Sequence, residues 1–91
     1  MKRSTVGFAV FWQNEDDGWD VPTRLNKEPN TPSGTILNAC GFRESQHIFL
    51  SRAEARAAIR EKHLYCQLWS QSDDDTAGMV IRKVEVVTNA R

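Results

Sequence analysis

Cys40, His47, His63 and Cys66 are the side chains of this sequence best suited to nucleophilic or metal chemistry. Together they supply the ligand types for one zinc ion. Their spacing argues against it, because six residues intervene between Cys40 and His47 and no close cysteine pair of the structural-zinc kind is present. If both are helical, His63 and Cys66 share a face. A catalytic cysteine needs a histidine within hydrogen-bond reach, itself oriented by a third group, and here either cysteine pairs with either histidine without a motif to choose. There is no glycine-rich phosphate loop, no G-x-S-x-G elbow and no metalloprotease helix. The expectation is a protein that is not an enzyme, with no catalytic residue, no metal and no cofactor.

Charge offers more. Arg52, Arg56 and Arg60 recur every four residues, forming a stripe along a helix opposite its alanine face. Such guanidinium groups suit phosphates or a carboxylate-bearing protein surface. The plainer reading is a solvated face partly neutralised by Glu54 and Glu61. Two acidic clusters, Glu15-Asp16-Asp17 with Asp20 and Asp73-Asp74-Asp75, fall at expected turns. Brought to one end of a sheet they would present a negative patch to a basic partner. They do not have the alternating ligands, central glycine and distal Glu of a calcium loop, and solubilising turn chemistry explains each cluster alone. Trp12, Trp19 and Trp69 read as packing residues, although Trp19, beside the acidic hairpin, suits an exposed anchor.

The chain that must position these groups has 91 residues, enough for one domain with one modest core. Apolar residues are 40% and charged ones 26%, as in an ordinary globular protein. Twelve basic side chains balance twelve acidic ones, which removes the simplest case for non-specific nucleic-acid binding. No window reaches the length of a transmembrane helix, so no membrane partner is expected. The N-terminal apolar run is broken by Gln13 and lacks an export signal, which points to reduced thiols and a cytoplasmic setting.

Val6, Phe8, Val10 and Trp12 alternate with Thr5, Gly7, Ala9 and Phe11, predicting a strand. Asp17-Gly18 is a hairpin signal leading to a second strand at Trp19 and Val21, which Pro22 marks as an edge or as finished. Residues 23–46, punctuated by Pro29, Pro32 and Gly34, read as a long irregular loop where a partner surface is sought first. The bland reading of that loop is a variable surface segment pinned by Ile36, Leu37 and Phe42. Ile48-Phe49-Leu50 reads as a short buried strand. Ser51 and Glu54 then form a capping box that starts a helix at about Arg52, with Ala55, Ala58, Ile59 and Cys66 facing the core. Leu64 to Trp69 fits either an extension of this helix or a separate strand. Met79 to Val87 is a closing strand. The fold class is α+β: a small antiparallel or mixed sheet of three to five strands with one helix packed on a face.

Phe49-Leu50-Ser51-Arg52-Ala53-Glu54-Ala55, with the closing run Val80-Ile81-Arg82-Lys83-Val84-Glu85-Val86, resembles the strand-to-helix unit of small phage and prophage α/β proteins, some of them anti-CRISPR-type inhibitors. The likeness covers a minority of the chain and is a fold-level pattern. It implies a non-enzymatic protein that blocks a larger host protein or nucleoprotein complex by occupying a surface, and it carries over no functional residue. Contacts expected on charge grounds are Glu15, Asp16, Asp17, Trp19, Asp20, Asp73, Asp74 and Asp75 for a basic partner, and Arg52, Arg56 and Arg60 for an acidic one. The alternative is a nucleic-acid-binding accessory domain using the arginine stripe with Arg24, Lys27 and Arg43. A free apolar strand edge would also allow a homodimer.

Overall fold

A computed structural model describes residues 2–14, 18–41, 46–69 and 75–89. Four strands form one antiparallel sheet: β1 (Lys2–Asn14), β2 (Trp19–Lys27), β3 (Thr35–Ala39) and β4 (Met79–Asn89), in the order β3-β2-β1-β4. One helix, α1 (Arg52–Trp69), packs against it, and a single 3-10 turn, Asp75–Gly78, leads into β4. The expected α+β architecture stands, and the sheet is antiparallel.

Apolar side chains from both layers make the core. Val10, Leu37, Phe49 and Ala55 are buried at its centre, with Phe8, Leu25, Ala58, Ile59, Met79 and Ile81 packed around them. The β1–β2 hairpin closes at Gly18, whose φ of 72° is the left-handed conformation expected from Asp-Gly. The capping box forms as well: the Ser51 hydroxyl accepts from the Glu54 amide at 3.2 Å, and Glu54 reaches back to the Leu50 amide at 3.1 Å. The α1 face carries Ala55 and Cys66 buried, as the spacing requires.

Three expectations change, and one open alternative is resolved. Pro22 neither ends β2 nor lies on an edge, since β2 runs on to Lys27 between β1 and β3. It pairs with Phe11 one step out of phase with the bonded pairs, so its missing N–H points away from β1. On that side only its carbonyl is used, accepting from the Cys40 amide at 2.9 Å. The segment 23–46 is likewise no structureless loop. It holds the rest of β2, a tight turn, and β3 paired with β2 from Thr35↔Lys27 to Ala39↔Thr23. In the turn, Thr31 is buried, and its hydroxyl bonds the carbonyls of Glu28 (3.0 Å) and Thr35 (2.8 Å). Gly34, at φ 76°, lets the chain re-enter the sheet.

The expected strand at Ile48-Phe49-Leu50 is a single bridge, with Phe49 exchanging two backbone bonds with Phe8 (2.7 and 2.9 Å). Leu50 is 83% exposed, not buried. Ile48 can cross β1 this closely because Gly7 has no side chain: a Cβ there would overlap Ile48 Cγ2 and lie 3.2 Å from the Phe49 carbonyl. Finally, of the two readings open for Leu64–Trp69, the extension of the helix is the one observed. No Gly or Pro interrupts α1 before Trp69.

Candidate binding surface

The two flanks of α1 are built differently. One faces the β2–β3 turn and is laced to it by side chains. Ser33 donates both its amide (2.9 Å) and its hydroxyl (2.7 Å) to Glu61 Oε1. Lys62 Nζ donates to Asn38 Oδ1 at 3.0 Å, and the Tyr65 phenol lies near the Glu28 carboxylate. Partial burial of Glu61 works to raise its pKa, but the Ser33 bonds, with a weaker one from Thr31, outweigh it and hold the carboxyl below its ordinary value. Desolvation pushes the Tyr65 phenol up, and the negative Glu28 beside it adds to that.

Between this flank and the hairpin lies a half-open groove of about 370 Å³, floored by Leu25, Leu37, Phe49 and Ala58. Its polar rim includes Ser33, His47, Glu54 and Glu61. Ser33 and Glu61 bond each other, Glu54 caps the helix, and the His47 ring sits edge-on to Phe49 with centroids 4.5 Å apart. The chain itself uses most of these polar groups, so the groove offers a ligand an apolar floor and little directed chemistry.

On the opposite flank, His63 Nδ1 lies 3.4 Å from Thr76 Oγ1, and the Arg52 guanidinium sits 4.9 Å above the Phe8 ring. From Arg52 the i+4 ridge turns roughly 40° per step, so Arg56 and Arg60 move progressively outward, and Leu64 and Leu68 continue the same ridge. Arg56 and Arg60 are exposed and make no ion pair with any described residue. Glu54 and Glu61, expected to neutralise the stripe, point to the groove flank instead. Beyond the arginines on this ridge, Leu64 is 49% exposed and Leu68 76%. The outer surface of α1 thus runs from guanidinium groups to uncovered apolar side chains.

Other candidate residues are dispersed. Asp20 is engaged inside the molecule, accepting from Arg82 Nε at 2.9 Å across the sheet. Glu15, Asp16, Asp17, Arg43, Asp73 and Asp74 lie outside the described residues, and only the backbone of Trp19 and Asp75 is described. Arg24 alternates with core-facing Leu25 along β2 and so lies on the sheet face away from the stripe. Cys40 and Cys66 are buried and not joined in a disulfide, and among the described residues no three His, Cys, Asp or Glu side chains gather to hold a metal.

The Glu61–Ser33 clasp and the apolar end of the ridge escape sequence reading for different reasons. The clasp joins residues 28 positions apart. Leu64 and Leu68 look like core residues until the length of the helix is known, which turns them away from the face of Ala55 and Cys66. Among the described residues, no helix is long and apolar enough to cross a membrane. Compared with protein-family models, curated proteins and solved structures, the chain matches none.

Proposed function

We infer that this is a non-enzymatic binding protein, of the phage or mobile-element type, that inhibits or modulates a larger host protein or nucleoprotein complex by occupying its surface. The observation that carries this reading is the outer ridge of α1, where Arg56 and Arg60 have no described ionic partner and Leu64 and Leu68 stand exposed beside them. A helix with cationic and apolar sectors fits an acidic surface with an apolar recess. The charges guide encounter and orientation, while buried leucine side chains supply most of the affinity. Two buried cysteines that form no disulfide accord with action in the cytoplasm.

The test is capture from nuclease-treated bacterial lysate with three forms of the protein. A partner retained by the wild type and lost both with Leu64→Ser/Leu68→Ser and with Arg56→Glu/Arg60→Glu supports the ridge. Retention by both variants refutes it. Reversing Glu15, Asp16 and Asp17 is expected to leave capture intact; loss there with retention in the ridge variants moves the contact to the hairpin.

The withdrawal of Glu54 and Glu61 from the arginines also favours a second reading, nucleic-acid binding along the same ridge. It requires affinity that falls steeply with salt, because each neutralised phosphate releases counterions. It also requires that Leu68→Ser leave affinity for a duplex or single strand unchanged. The apolar half of the ridge has no role in that reading, which is why a protein partner is preferred.

A further inference from the structure

The groove between α1 and the β2–β3 hairpin carries charge that the fold does not cancel. Glu54, Ala57, Ala58 and Glu61 line it from the helix. Their positions, i, i+3, i+4 and i+7, share one helix face, with a carboxylate at each end and the two alanines between. Two turns of helix set Glu54 and Glu61 about 10 Å apart along the axis. Leu25, Leu37 and Phe49 complete the apolar floor.

The chain itself holds both carboxylates in place. Glu54 Oε2 accepts from the Leu50 amide at 3.1 Å, and Glu61 Oε1 accepts from the amide and the hydroxyl of Ser33. These donors are neutral, so they fix the two groups and leave their charge. Neither carboxylate meets a basic side chain among the described residues. Lys62, next to Glu61 in sequence, is turned to Asn38 instead. Among the described lining residues only His47 can carry a positive charge, and its ring packs edge-on against Phe49.

This arrangement selects a ligand by charge and apolar contact rather than by a pattern of directed bonds. A neutral apolar molecule would take water from two carboxylates and replace it with nothing, and an anion would be repelled. A compact cation reaches one end only. An extended methylene chain with an ammonium group at each end matches both the separation of the carboxylates and the floor between them.

We propose that the groove binds linear aliphatic diamines, with one ammonium at Glu54, the other at Glu61, and the methylene chain lying over Leu25, Leu37, Phe49 and the two alanines. The site is on the flank of α1 away from the arginines, so it stands or falls independently of the proposed function.

The test is titration calorimetry of the full chain at neutral pH with 1,8-diaminooctane, whose extended length is close to the spacing of the carboxylates. It is expected to bind at least about tenfold more tightly than 1,4-diaminobutane, which covers less of the floor. At equal length, 8-amino-1-octanol and 1,8-octanediol each lose one more cation, and each step should weaken binding on the order of fivefold. Glu54→Gln and Glu61→Gln keep the helix cap and the acceptor for Ser33 while removing one charge, and each should cost about fivefold for the diamine. Ala57→Phe fills the groove from an exposed position and should abolish binding. Circular dichroism checks that each variant is folded. A wild type that binds no diamine up to millimolar concentration overturns the proposal. So does equal affinity for the diol, or a diamine affinity unchanged in both glutamine variants, which would place the cations elsewhere on the surface.

Discussion

The two sides of the molecule differ in what they do with their polar groups. On the β3 side, the turn after β2 is folded on itself through Thr31, and turn and strand are clasped to α1 through Ser33–Glu61 and Asn38–Lys62. On the α1 ridge, guanidinium groups and apolar side chains remain available. A small domain has one core, and here it lies between the sheet, where β1, β2, β3 and β4 all contribute, and the first half of α1. The closed side is fastened by contacts with itself, whereas the open side can be completed by another molecule.

Breaking the closed side should produce the largest effects. Leu37, fully buried on β3, becomes a cavity in Leu37→Ala, with an expected loss of about 3 kcal/mol in urea unfolding. Gly7→Ala forces Ile48 and the Phe49 carbonyl off β1, with an expected loss of about 1–3 kcal/mol.

Loosening the clasp should cost less and depend on pH. Glu61 has a lowered folded-state pKa, so its contribution is complete above the unfolded carboxylate value and is lost as pH falls through the folded one. Ser33→Ala is expected to lower stability near neutral pH by about 1 kcal/mol, allowing for the partial exposure of the pair. It should also flatten the acid limb of a stability–pH curve measured by thermal unfolding. The smallest effect belongs to the open side. Leu68→Ala is expected to change stability by no more than about 0.5 kcal/mol, because the side chain is already in water. A loss several times larger would mean that the ridge serves the fold.

Local chemistry was legible in the sequence. The Asp-Gly hairpin, the Ser51–Glu54 cap and the alanine face of α1 depend on residues a few positions apart, and each lies where spacing placed it. Pro22 misled because the rule against proline in inner strands concerns the donor, and at this position no donor is needed. Residues 23–46 misled because turn residues outnumber strand residues there, although Leu25 and Leu37 pair across the hairpin. The spacing of the arginines was readable, but the direction of Glu54 and Glu61 was not, since it depends on a cap and on a turn distant in sequence. Leu64 and Leu68 have core-type side chains, but α1 turns them away from the face that carries Ala55 and Cys66.

The difference between the two sides is tested most directly by placing a photo-cross-linking amino acid at Leu68 on the open ridge and, in a separate protein, at Pro32 in the closed turn. Both positions are exposed, so reagent access does not separate them. After irradiation in nuclease-treated bacterial lysate, a discrete protein adduct is expected from position 68, absent when Arg56→Glu and Arg60→Glu are added, and none is expected from position 32. Adducts from position 32 alone, or from position 68 regardless of the arginines, would contradict the assignment of the α1 ridge as the contact face.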